Sequence, residues 1–186
     1  KIIGVIENQA PTKLLKGVLP VENGFVKGDL DKDICQVALV ERHRGTWQIT
    51  NGFVSGFGYK EKCAVASTVA HDSHHMIIVG TDQENMALAG NHLASIGGGV
   101  TVFKDGGELA TVSLNIAGLM SDAPARNVAK AADNMVEAMQ ICGCKINNGY
   151  MQHSLLALVV IPELRISDLG LIDVKKFEIT ELLDKA

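Results

Sequence analysis

Short runs rich in valine and isoleucine, repeatedly broken by turn dipeptides, constrain this chain more than any other feature. Side chains branched at the β-carbon fit the pleated surface of a sheet better than the crowded wall of a helix. Three such runs are KIIGVIENQ (1–9), GVLPVENGFV (17–26) and DICQVALVER (33–42), the second carrying the hairpin dipeptide Asn23-Gly24. The stretch RGTWQITNGFVSGFGYKEK (44–62) holds glycines at 45, 52, 56 and 58 and a second Asn-Gly pair. It reads as a long loop with a hairpin in it, of the sort that often carries function.

The rest of the chain mixes two periods. KCAVASTVAH (62–71) and HMIIVG (75–80) read as core strands, and TDQENMALAGNHLASIGGG (81–99) reads as a helix. There Thr81 and Glu84 have capping-box spacing, Met86, Ala89, Leu93 and Ile96 form one apolar stripe, and Gly97 stops the helix. GVTVFKDGGELATVSL (99–114) is a hairpin turning at Asp105-Gly106 or Gly107. A second helix is expected from about Ser121 or Asp122, with Pro124 tolerated in its first turn, Val128, Ala132, Met135 and Met139 on one face, and Gly143 at its end. The run LLALVVI (155–161) fits a buried strand. The expected fold class is α+β: a mixed β-sheet with a few helices packed on it, a β-rich N-terminal half and an alternating α/β C-terminal half. Residues 1–186 are expected to form a single compact unit or two subdomains, 1–62 and 63–186.

A formal net charge of −4 gives no basic stripe for a phosphate backbone, so nucleic acid is not an expected partner. No run is long enough to span a membrane, there is no signal peptide, and the four cysteines are scattered and expected to be reduced, which together favour the cytoplasm. Lys1 leads straight into a strand-like run with no initiator methionine, the appearance of a fragment or a processed product.

Between the two core strands lie His71, Asp72, Ser73, His74 and His75. A metal site at His71 and His74, with Asp72 behind them, needs imidazoles converging on one ion; on an extended chain neighbouring side chains diverge, and no other cluster completes the shell. A Ser73-His-Asp72 triad fails because triads are assembled across space, and there is no GxSxG elbow. A polar turn, with Asp72 and Ser73 bonding local amides, explains the cluster more economically. Gly97, Gly98 and Gly99 follow a helix rather than open one, so they cap it and do not cradle phosphate. The HxE and PCxxC pair of a zinc base deaminase is absent, since Cys142-Gly143-Cys144 has the wrong spacing. The HxH pair that opens a metal-dependent amidohydrolase barrel is absent too.

The runs LPVENG (19–24), VALVERHRGT (37–46), NGFVSGFG (51–58), VASTVAHDSHHMIIVGTD (65–82), IAGLMSD (116–122) and VIPELRISDLGLIDV (160–174) resemble, in order, the C-terminal domain of bacterial and archaeal adenine deaminases of the amidohydrolase superfamily. His75 departs from that pattern, where an asparagine is expected. The resemblance implies a hydrolase that converts adenine to hypoxanthine and ammonia in purine salvage, with manganese or iron held in an N-terminal barrel outside this sequence, and no cofactor bound within it. The implied partners are that barrel, in the same enzyme, and further copies in a homo-oligomer. His71, Asp72, Ser73, His74 and His43 are then candidates for a pocket rim or an interface, beside the loop at 51–58 and facing the barrel. A free-standing small-molecule-binding or oligomerisation domain is the alternative.

Overall fold

A computed structural model describes residues 1–46 and 48–184; Trp47, inside the glycine-rich stretch, and the last two residues lie outside that description. The strands are β1 (Ile2–Val5), β2 (Thr12–Leu15), β3 (Val21–Glu22), β4 (Phe25–Val26), β5 (Ile34–Val40), β6 (Ile49–Ser55), β7 (Cys63–Ser67), β8 (Met76–Gly80), β9 (Gly99–Lys104), β10 (Gly107–Ser113), β11 (Leu164–Ser167), β12 (Gly170–Asp173) and β13 (Glu178–Thr180). The helices are α1 (Gln83–Ile96), α2 (Ala125–Ile141) and α3 (Gly149–Leu155). Eight strands form one sheet in the order β10-β9-β7-β8-β5-β6-β1-β2, antiparallel except for the β1–β6 pair. β11, β12 and β13 make a second sheet, and β3 and β4 a small hairpin turning at Asn23-Gly24. The α+β expectation holds.

Alternation along the strands builds two main cores and a smaller cluster of Ile2, Ile34 and Phe53. Cys35, Val37 and Leu39 of β5, with Ile77 and Val79 of β8, face one core together with Met135 and Met139 of α2 and Leu164 and Ile166 of β11. Ala38, Met76 and Ile78 face the other, under Met86, Ala89 and Leu93 of α1. The period of two has put an apolar residue on both faces, the pattern of strands covered on both sides.

Several local expectations change. The residue capping α1 is Asp82, whose carboxylate accepts from Asn85 N, while the Thr81 hydroxyl accepts from Cys63 N at 2.9 Å and donates to the Glu61 carbonyl at 2.7 Å. The second helix starts at Ala125, directly after Pro124; its expected stripe does face the core, Met135 and Met139 buried and Val128 and Ala132 partly so, joined by Ala138. Residues 49–55 form a regular strand, not a loop: Gly52 pairs with Val37, and a Cβ on it would meet Leu171 and Val37 at 3.3 Å, so this glycine lets the second sheet approach rather than turning the chain. The true turn is at 56–58, where Gly56 N and Gly58 N donate to the Asp33 carboxylate at 3.0 and 2.7 Å and deliver Phe57 and Tyr59 into the core.

The run 155–161 is not a strand. It leaves α3 in successive turns, with Leu156 buried and Val160 exposed. The cause is Arg165, wholly buried on β11, which donates to the carbonyls of Leu155 at 2.7 Å, Ile161 at 2.7 Å and Ala10 at 2.5 Å. A buried guanidinium without a carboxylate must collect carbonyl oxygens, and a curled chain supplies several where a strand would supply one. Burial pushes the Arg165 pKa down to about 10.

Candidate functional site

β5 and β8 are antiparallel neighbours, with Val40 opposite Met76, so the residues after one and before the other emerge at the same end of the sheet. That places the 41–46 turn beside the 71–75 segment. Glu41 organises the turn. Its buried carboxylate accepts from His43 N at 2.5 Å and Arg44 N at 2.7 Å through one oxygen, and from Thr46 N at 3.0 Å and the Thr46 hydroxyl at 2.9 Å through the other. These donors, the Thr46 amide foremost, hold its pKa down to about 2 against the opposing effect of burial. Glu41 is therefore a fixed charge and a poor proton carrier at neutral pH.

The 71–75 segment is tied down on both sides. His71 N donates to Ser154 O at 2.9 Å, Arg42 Nε donates to His74 O at 2.6 Å, and the other end of the same guanidinium reaches Ala117 O at 2.9 Å. His43 Nε2 lies 2.6 Å from Ser73 O; because a carbonyl only accepts, this imidazole carries a proton on Nε2. Four of the five rim candidates, His43, Ser73, His74 and His71, thus belong to one bonded assembly, and Asp72 stands exposed at its tip. Its neighbour is the 41–46 turn rather than the 51–58 stretch, because β6 carries residues 49–55 away along the sheet.

The site also takes in Glu41 and Asp168, which no sequence motif marks, and His75, which the motif contains without a role. His75 is 6% exposed, its ring centroid 4.7 Å from that of His43, with Nδ1 3.9 Å from Glu41 and Nε2 3.8 Å from Asp168. Both gaps exceed hydrogen-bond length, and Nδ1 has no partner among the described residues. Burial lowers the His75 pKa, outweighing the nearby Asp168 carboxylate, so the ring is neutral at neutral pH. These groups and Gln48 enclose a hollow of about 230 Å³. Glu41 and His75 both flank apolar strands, a signal that could have been used; Asp168 lies in the turn between β11 and β12, and nothing local ties it to either.

The hollow is lined by the imidazoles of His43 and His75 and by the Asp168 carboxylate, an acceptor suited to a ligand with N–H donors. It does not fit a transition-metal ion. Among the described residues no three His, Cys, Asp or Glu side chains are grouped to hold one. His71 and His74 meet edge to face at 5.4 Å between ring centroids, and His74 Nδ1 already accepts from Ala70 N at 3.3 Å.

Comparison with known proteins supplies a context. Residues 9–178 match the family model described as adenine deaminase C-terminal domain. An adenine deaminase of Ruegeria sp. (strain TM1040) is 69% identical over 177 residues, which is 95% of this chain and 29% of the relative. One from Paracoccus denitrificans is 66% identical over 183 residues, and one from Moorella thermoacetica 45% identical over 183 residues, each alignment taking in 98% of this chain and 30% of the relative. The chain therefore spans less than a third of the length of these curated relatives.

Proposed function

Because this chain belongs to the adenine deaminase C-terminal domain family, we propose that it is part of an enzyme that hydrolyses adenine to hypoxanthine and ammonia, and that its own contribution is the rim of the reaction pocket. The observation that carries the reading is the match of nearly the whole chain to relatives that bear that name, down to 45% identity. The reaction adds one water and releases one ammonia. The manganese or iron that the resemblance implies would have to be held by other residues.

What these side chains would do is bind and exclude water. Adenine presents an exocyclic amino group and a single ring N–H as donors, and the Asp168 carboxylate, with the imidazoles of His43 and His75 beside it, is an acceptor for such groups. Glu41, locked by four donors, sets the position of His43, and Arg42 sets that of His74. A rim held this firmly has little to reorganise when substrate arrives.

The test uses the full-length enzyme with His43→Ala and, separately, His74→Ala, following hypoxanthine formation and native mass. A fall in kcat/KM of about tenfold or more at unchanged mass supports a rim that contacts substrate. Normal kinetics with altered assembly would instead make this segment an interface, and a full-length protein that does not turn over adenine would sink the reading as a whole.

A further inference from the structure

The two faces of the eight-stranded sheet are not equally covered. One carries α2 and the second sheet; the other carries α1, which packs on β7, β8 and β9. Over β5, β6 and β1 no helix lies on that second face among the described residues; Leu19, Val26 and Leu182 pack there on Ile2, Ile34 and Phe53 and cover it only in part. Ala38, Val40, Phe53 and Ile78 instead floor a hollow of about 440 Å³, walled by Met86 of α1 and by Phe25 of the small hairpin. It runs on through Phe53, Val26 and Leu183 into a second hollow of about 670 Å³ that reaches Val18, Lys16 and Lys1. The floor is buried, but much of the apolar wall is open to solvent, with Val18 90% exposed, Phe25 64% and Ile49 54%, and the ion pairs of Lys1 and Lys16 with Asp184 close the far end. Isolated apolar residues on a surface need no explanation, but a continuous trough of them marks a contact.

We propose that this trough is the seat of the polypeptide that precedes the matched region in the longer relatives, so that this half-covered part of the sheet is the interface between this chain and the rest of the same enzyme. The inference rests on the reading above in taking the chain as one domain of that enzyme. Its first support is length: the match occupies 29 to 30% of the relatives, and the family model is a C-terminal domain, so most of their residues come before it. The second is position. Lys1 lines the second hollow and its backbone nitrogen donates to Leu182 O at 2.7 Å, so chain arriving at Lys1 arrives on the rim of the trough. The third is continuity with the candidate site. Val40 and Ile49 are paired at the far end of the trough, and the next residues, Glu41 and Gln48, line the polar hollow. A domain seated on the trough ends where His43 and His75 stand. Its contact surface is expected to be apolar, with a few amide or hydroxyl groups to meet Gln36 and Asn51 on the floor.

A photo-crosslinking phenylalanine analogue placed at Phe25, and separately at Ile49, in the full-length enzyme tests this, using enzyme assembled from a mixture of isotopically heavy and light chains. Adducts joining either position to the preceding polypeptide of the same isotopic chain support the proposal; adducts to a second copy of this domain, or to the other isotopic chain, overturn it. As a parallel readout, Ile49→Cys and Val18→Cys are labelled with a maleimide, the four native cysteines of this chain being buried. Labelling at least about tenfold slower in the native enzyme than in denaturant is expected, and labelling equally fast in both would show an uncovered trough. Adenine hydrolysis is measured on the same preparations. A covered trough in an inactive enzyme would sink the functional reading alone, and an active enzyme with a freely labelled trough would sink this one alone.

Discussion

Acid should destabilise this fold well above the pH at which its carboxylates titrate, and His153 is the reason. The ring is wholly buried on α3, 4.3 Å between centroids from Phe57, with Nε2 2.9 Å from the Tyr59 hydroxyl and no partner at Nδ1 among the described residues. Burial alone pushes its pKa from 6.5 down to about 3. Below pH 6.5 the unfolded chain therefore takes up a proton that the folded chain refuses, so stability is full above that value and is lost as pH falls towards 3. At about 1.4 kcal/mol per pKa unit the loss is about 2 kcal/mol at about pH 5 and approaches about 5 kcal/mol at the bottom of the window. Glu41, Glu163 and Asp184 are held below the ordinary carboxylate range, so their contributions vanish at lower pH and leave the upper window to histidine. His74 and His75 are lowered as well, which is why the comparison needs a variant. Guanidinium unfolding of this chain across the window, with and without His153→Gln, isolates the effect: the wild type should lose about 1 kcal/mol per pH unit more than the variant. Equal slopes, or a His153 proton resonance titrating near an ordinary imidazole value, would refute the reasoning.

Replacing Arg165 by Met should cost about 3 kcal/mol in the same unfolding experiment, since carbonyls at residues 10, 155 and 161 lose their buried donor; a change within about 0.5 kcal/mol would mean that the curled 155–161 segment holds itself. Gly99→Ala should cost about 3 kcal/mol or more, visible as a lowered Tm, because the new Cβ would sit 2.2 Å from Val112 O on a backbone with φ of +148°. Glu41→Gln puts an amide NH2 against donors that now meet a carboxylate. Hydrogen exchange at His43, Arg44 and Thr46 should accelerate by about tenfold or more, whereas unchanged protection would show that the turn does not depend on the charge.

Much of the sheet was legible because strand formation here is a local matter. ICQVALV and MIIVG alternate between two cores, and any chain with that alternation has the same reason to extend. The stripe of Met86, Ala89 and Leu93 and the left-handed cap at Gly97 fix α1 in the same way, from residues within a few turns of one another. The sequence also placed His71 to His74 in a polar turn at a strand end, since four polar side chains between two apolar strands cannot be buried without partners.

What tertiary structure decided was every assignment that depends on a distant partner. Asn51-Gly52 has the chemistry of a turn, but Leu171 of the second sheet claims the space a Cβ would fill, and the pair lies mid-strand. LLALVVI has the apolar content of a buried strand, but the guanidinium of Arg165 recruits its carbonyls and curls it. The candidate site shows the same division. Glu41, His75 and Asp168 are far apart in the chain and meet because β5 and β8 are neighbours and the β11–β12 turn folds over their ends. Local pattern sets which backbone each segment adopts, because that free energy is gathered within a few residues. Which polar groups face one another is set by strand order and by the desolvation of buried charge, and neither quantity can be read along the chain.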